Sequence, residues 1–223
     1  MKKTYLKNIA NIKIGSQIQR LTAKKQSSPI NIKLINLKAF DNFSTEFKPN
    51  SINNEPITIY QQNYNIIENN DILIRLREPF KAIIIKNNAQ DYIISSLIAN
   101  IKLKEKAQNI CLPEFLAIYI NSSRKIQNFL QKQSRGTGII SVGVSNLYEI
   151  QINIPNIEEQ KKIIEANRLF ERSLEVERSI LEQKEKFYIG VLKEFFYWIN
   201  LQGFAPHPTS FGDPKKQKDC NFY

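Results

Sequence analysis

The stretch Ile150–Trp198, IQINIPNIEEQKKIIEANRLFERSLEVERSILEQKEKFYIGVLKEFFYW, decides how the rest of the chain is read. It opens like a strand, meets Pro155, and then runs on in an unbroken helical pattern. Asn156 is placed to accept from backbone N–H groups of the first turn, and Glu159, three residues on, to reach back to the Asn156 N–H. Glu158 and Glu159 also set negative charge at the positive end of the helix dipole. From Ile157 onward, apolar residues recur three and four apart: Ile163, Phe170, Leu174, Leu181, Tyr188, Val191, Phe195 and Trp198, interrupted by Asn167, Glu177 and Lys184. Leu169, Val176, Ile180 and Phe187 form a second series beside the first, and a face this wide needs more than one neighbour. A helix from Ile157 to Ile199 spans roughly 60 Å, about twice the diameter of a small domain. It therefore extends past its own globular part or packs along something else; the alternative is a long helix folded back on a core. Gly190 marks a kink or a place of close approach.

Outward from this helix, the 223 residues allow one compact domain plus an extension. The pattern predicts an α+β fold: a mixed, mostly antiparallel domain over 1–155, a spacer helix over 156–200 that pairs in coiled-coil fashion, and an irregular tail over 201–223. Residues 4–14 read as a short strand or a turn of helix leading to a turn, and strands are expected within 30–37, 57–60, 71–76, 81–86, 91–95, 97–103 and 147–154. Residues 16–28 read as a basic loop. Pro113 opens a single helix through PEFLAIYINSSRKIQNFLQKQ, burying Phe115, Leu116, Tyr119, Ile126, Phe129 and Leu130. Phe40, Phe43 and Phe47, in a stretch rich in turn formers, either seal the core, the favoured fate, or stand in a groove.

Charge is unevenly distributed. Residues 1–150 hold 21 Lys and Arg against 10 Asp and Glu, residues 151–200 hold 8 against 9, and the tail holds 3 against 2. The chain is rich in Lys, Asn and Ile, the residues AT-rich codons encode, but codon bias alone spreads charge evenly. A basic head on a neutral strut is instead the layout of a polyanion-binding domain held by a protein-binding arm. The opening MKKTYLKNIANIKIG lacks the continuous apolar run of a secretory signal, and no stretch reaches membrane-spanning length. Two cysteines and one histidine supply too few soft ligands for a structural zinc site. The expectation is a cytoplasmic, reduced protein without metal or cofactor.

Catalytic signatures are missing from the sequence. It has no P-loop, no [DN]PP[YF] tetrapeptide of an adenine methyltransferase and no glycine-rich cofactor turn. Arg135-Gly136-Thr137-Gly138 follows a helix rather than a strand, which fails the context of a dinucleotide fingerprint. His207 stands in a Pro-rich tail without a partner carboxylate. Asp71 and Glu78 read as strand punctuation rather than a metal pair, and Cys111 as buried packing.

Four stretches carry a resemblance: LKNIANIKIG at the start, IIENNDILI at 66–74, PEFLAIYI with its trailing Gly136-Thr137, and LYEIQINIPNIEEQKKIIE at 147–165. Their order resembles a target recognition domain followed by its spacer helix in the specificity subunits of type I restriction-modification enzymes, over about residues 1–200. Members usually carry two such domains and two helices, so this chain resembles a half-length form. The charged turn RLREPFK also departs from relatives that often have glycine there. The resemblance implies a non-catalytic reader of double-stranded DNA, with methylation and ATP-driven cleavage left to methyltransferase and restriction (translocase/nuclease) subunits. A homodimer paired through Ile163, Phe170, Leu174, Leu181, Tyr188, Val191 and Phe195 then reads an inverted repeat. Val176, Ile180 and Phe187 face the methyltransferase subunits. Arg75, Arg77, Lys132 and Arg135, with Lys24 and Lys25, are the candidate DNA contacts, arginine for bases and lysine for phosphates. The competing reading is an orphan or decoy fragment that binds methyltransferase through its helix without reading DNA. A stand-alone DNA enzyme is disfavoured by the missing motifs.

Overall fold

The structure, a computed structural model, describes residues 2–23, 28–40, 43–49, 56–60, 64–86, 89, 91–134 and 141–201. The chain divides into two compact units, Met1–Leu174 and Glu175–Tyr223. In chain order the elements are β1 (Lys2–Tyr5), α1 (Leu6–Ile9), β2 (Ala10–Ile14), α2 (Ile18–Thr22), β3 (Ile30–Ile35), β4 (Ile57–Ile59), β5 (Ile72–Arg75), β6 (Ala82–Ile84), β7 (Tyr92–Ile94) and β8 (Ile98–Leu103). They continue as α3 (Glu105–Gln108), α4 (Pro113–Ser122), α5 (Arg124–Ser134), α6 (Val144–Tyr148), β9 (Gln151–Ile154) and α7 (Ile157–Leu201).

The centre of the first unit is the antiparallel sheet β2-β8-β5-β6. Its strands β5 and β6 are apolar and buried on both faces, as expected where a sheet is covered on both sides, whereas β2 turns Asn11 and Lys13 outward. Side chains alternate across the pleat. Ile72, Ile74, Ala82 and Ile84 therefore point to a core shared with α4, α5 and β9, while Leu73 and Ile83 point to a second core with Phe40, Phe47 and Tyr92. The sheet β4-β3-β7 closes a third cluster around Leu21, Ile32, Ile59 and Ile93. Its β3–β7 pair is parallel, which makes the fold mixed. Gly15 carries the chain from one sheet to the other. A β-carbon there would collide with the backbone carbonyls of Ile94 and Ser95, so no larger residue fits without moving the backbone.

Several local expectations are corrected. Residues 18–22 form a helix rather than loop, held because Leu21 is buried and its carbonyl accepts from Tyr60 N–H. The expected single helix from Pro113 breaks at Ser123, whose backbone is extended. The Ser123 hydroxyl accepts from Ile126 N–H and caps the second piece, α5. Residues 144–148 are helical, so the last strand before α7 is shortened to Gln151–Ile154. Phe40 and Phe47 enter the core, whereas Phe43 is 57% exposed. The long helix forms as expected and passes through Gly190 without interruption. Residues 202–223, expected to be irregular, lie outside the described residues.

Candidate functional site

The root of the long helix is built from the capping residues upward. Asn156 Oδ1 accepts from Glu159 N–H at 2.8 Å, and Asn156 N–H donates back to Glu159 Oε2 at 3.3 Å, so the capping box is present. One residue on, Gln160 is fully buried. Its Oε1 accepts from Leu112 N–H at 2.8 Å, and its Nε2 donates to the carbonyls of Ile110 at 2.8 Å and Pro155 at 2.9 Å. A single amide thus satisfies three backbone groups that have no ladder partner.

Continuing along the same helical face, Ile164 enters the main core. Next comes a set of polar ties. Glu114, on α4, receives Lys86 at 2.6 Å and Arg168 at 2.8 Å. Burial pushes the Glu114 carboxyl up, but the two cations outweigh it and hold the pKa below its ordinary value. Glu171 accepts from Thr45 N–H at 2.7 Å, from Asn167 Nδ2 at 2.8 Å and from Ser44 Oγ at 3.2 Å. Gln160, Ile164, Asn167, Arg168 and Glu171 recur at helical spacing and form the face that α7 presents to the first unit. Hydrophobic periodicity does not reveal this face because most of it is polar; the spacing of Gln160, Arg168 and Glu171 is the signal that could have.

The apolar series falls on other sides of the helix. Ile163 is 40% and Phe170 62% exposed, Leu174 is half-buried, and Leu181, Tyr188, Val191 and Phe195 are exposed. Val176, Ile180 and Phe187 of the second series are exposed too.

Of the basic candidates, Arg75 and Arg77 lie at the end of β5. Arg75 closes β5, and its Nη2 donates to Glu78 O at 3.0 Å, bracing the turn that carries exposed Arg77. The Glu78–Pro79 peptide in this turn is cis. Lys132 is exposed in the last turn of α5. Val142 N–H donates to the carbonyl of Leu76, the neighbour of Arg77 in sequence, at 2.9 Å. Arg135, Lys24 and Lys25 lie outside the described residues. Asp71 is buried, accepting from Glu68 N–H at 3.0 Å and Asn100 Nδ2 at 2.7 Å, a structural role at the start of β5. Burial raises its pKa. Cys111 is buried as well, and burial pushes its thiol up to about 12, far from a reactive thiolate. Among the described residues, no cluster of His, Cys, Asp and Glu could hold a metal ion, and no helix is long and apolar enough to cross a membrane.

A mixed β unit whose surplus charge is basic is thus followed directly by a long helix with exposed apolar side chains. The chain belongs to the type I restriction-modification DNA specificity domain family, which matches residues 1–186. This family recognises DNA sequence and is in general non-catalytic. Among solved structures the chain is similar to the HsdS subunit from Thermoanaerobacter tengcongensis, with TM-score 0.56 and 20% identity over 96% of this chain and 51% of that one. It is similar to the type I restriction-modification S subunit from M. genitalium, with TM-score 0.50 and 15% identity over 83% and 42% of the two chains. A third similarity is to a chain solved in work on complex assembly and conformational transition of the type I restriction-modification system, with TM-score 0.52 and 14% identity over 87% and 43%. At these identities the likeness is one of fold. The chain spans about half the length of the solved chains it matches. No curated protein sequence matches it.

Proposed function

We propose that the chain is a non-catalytic DNA sequence-recognition subunit of a type I restriction-modification system. It reads one half of a bipartite, inverted-repeat target, pairs with a second copy through α7, and docks methyltransferase subunits, with a translocase/nuclease subunit joining the complex. The observation that carries this reading is that one family match, residues 1–186, joins a basic head to a helix whose apolar side chains are uncovered. The balanced charge of residues 151–200 supports a helix that meets protein rather than phosphate. The exposed series Ile163, Phe170, Leu181, Tyr188, Val191 and Phe195, with half-buried Leu174, supplies the self-pairing seam. Val176, Ile180 and Phe187 supply the surface for methyltransferase.

In this proposal Arg77, Lys132 and Arg135 contact DNA directly, Arg75 holds the turn that presents Arg77, and Lys24 and Lys25 add phosphate contacts. Such a protein works in the cytoplasm, where the DNA is. The test is binding of the purified chain, with its methyltransferase partner, to duplexes carrying inverted repeats across a salt series. A reader loses affinity steeply as salt rises, because each neutralised phosphate releases counterions. Arg77→Ala is expected to cost about 1–3 kcal/mol if it reads a base. Methyltransferase capture with salt-insensitive, sequence-blind DNA binding overturns the reading in favour of a decoy fragment.

A further inference from the structure

The turn between β5 and β6 holds Arg77, Glu78 and Pro79 exposed between two buried residues, Leu76 and Phe80. Its base is fixed from several sides. Leu76 N–H donates to Leu97 O and Leu76 O accepts from Val142 N–H, both at 2.9 Å, while Arg75 N–H donates to Lys81 O at 2.9 Å. The Arg75 guanidinium reaches the carbonyl of Glu78 itself at 3.0 Å. Where β6 begins, the Asn121 amide pairs with both backbone groups of Ala82: Oδ1 accepts from Ala82 N–H at 2.7 Å, and Nδ2 donates to Ala82 O at 2.8 Å. A turn tied at this many points is ordered before it meets a ligand, so contact costs it little entropy.

Glu78 stands out by charge. Residues 1–150 hold 21 Lys and Arg against 10 Asp and Glu, and several of those acids are engaged: Glu68 pairs with Lys102, Glu114 with Lys86 and Arg168, and Glu149 with Lys7. Among the described residues no cation pairs with the exposed Glu78 carboxylate. Beside Arg77, such a carboxylate opposes phosphate and lowers affinity for DNA of any sequence. What it can gain is a donor on a base edge. In the major groove cytosine shows the N4 amino donor, adenine a donor beside an acceptor, guanine two acceptors, and thymine an acceptor and a methyl group. An ionised carboxylate only accepts, so cytosine suits it best.

We propose that Glu78 is a specificity-determining residue that accepts from a cytosine N4 amino group, with Arg77 on the guanine of the same or the adjoining base pair. The proposal rests on the DNA-reading role put forward above and deepens it by naming an acid and the base it selects. Consecutive Cα atoms are about 3.8 Å apart and successive base pairs about 3.4 Å, so neighbours in the chain can address neighbours in the groove.

The test exposes the purified full chain to a pool of random-sequence duplexes and sequences the bound fraction. It compares the wild type with Glu78→Gln, Arg77→Ala and Glu105→Gln, the last removing the same charge from an exposed position on α3. The wild type is expected to enrich a motif with a required C·G pair. In Glu78→Gln the preference for cytosine there should fall about tenfold and move toward adenine, whose N6 and N7 a glutamine amide matches, while affinity for the unselected pool does not fall. Arg77→Ala should relax the same or the adjoining position, and Glu105→Gln should keep the motif. An unaltered motif in Glu78→Gln, the same alteration in Glu105→Gln, or loss of all binding by Glu78→Gln overturns the role of Glu78 while the wild-type motif leaves the reader standing. An unaltered motif in Arg77→Ala overturns the pairing of the two residues on one step. A wild type that enriches no motif overturns the role of Glu78 together with the DNA-reading role.

Discussion

Residues 157–174 and 175–199 belong to one continuous helix, yet their side chains have different surroundings. In the first stretch Gln160 and Ile164 are buried, and Asn167, Arg168 and Glu171 are tied to Thr45, Glu114 and Ser44. In the second stretch no described side chain is buried, and Phe187, Tyr188, Phe195 and Trp198 are each more than half exposed. The more polar stretch is thus the better anchored, and the more apolar one is uncovered. Hydrophobicity alone gives the opposite assignment. The difference teaches that a helix root can be fixed by specific hydrogen bonds, which hold one orientation, while the more apolar stretch beyond it stays exposed.

The sharpest way to break this contrast is at Gln160. Gln160→Ala leaves Leu112 N–H and two carbonyls without their partner, and is expected to cost about 3 kcal/mol in urea unfolding of the head, at the upper end for an orphaned buried group. A loss under 1 kcal/mol would mean that the amide is incidental to the anchoring.

Glu114→Gln is expected to cost less, about 1.5–3 kcal/mol, the range for hydrogen bonds to charged groups. Its effect depends on pH. The folded pKa lies below the ordinary 4.5, so the stabilisation from Glu114 is present above that value and is lost as pH falls through the depressed one. The wild type should therefore show an acid-side decline that the variant shows more weakly. Asp71 acts with the opposite sign. Its folded pKa lies above the ordinary 3.8, so its contribution is present below that value and declines as pH rises through the raised one. If the variant's pH profile runs parallel to that of the wild type, the Glu114 assignment is wrong.

The smallest effect sharpens the other side of the comparison. Phe187→Ser is expected to change the unfolding free energy of the head by no more than about 0.5 kcal/mol, as for an exposed site with no special role. The same variant should reduce capture of methyltransferase. A destabilised head would show that Phe187 is covered within its own molecule.

Much of this was legible because the signals are local. The capping box needs only Asn156 and Glu159 at the right spacing, and the runs around Leu73 and Ile83 announce strands covered on both faces. The contacts that place α7 were not legible, since Gln160 bonds to a backbone turn about fifty positions earlier and Glu171 to residues before β4. Nothing near Gln160 in the sequence names Ile110 as its partner. The short helix around Leu21 was hidden for a similar reason: its polar composition reads as loop, and one buried leucine makes it helix. Phe43 shows the limit in the other direction, for an aromatic residue among turn formers has no local mark that tells core from cleft. As for the DNA-contact candidates, their residue types were readable, but not that Arg75 would turn back onto Glu78 while Arg77 faced outward.

The pairing of Lys2–Tyr5 with Gln151–Ile154 has one more consequence. The strand that enters the head lies antiparallel against the strand that leaves it, so entry and exit adjoin at the foot of the helix. A domain bounded in this way behaves as a cassette. Its interior can be exchanged for another that ends in the same two strands while the helix that follows keeps its own sequence and its own start.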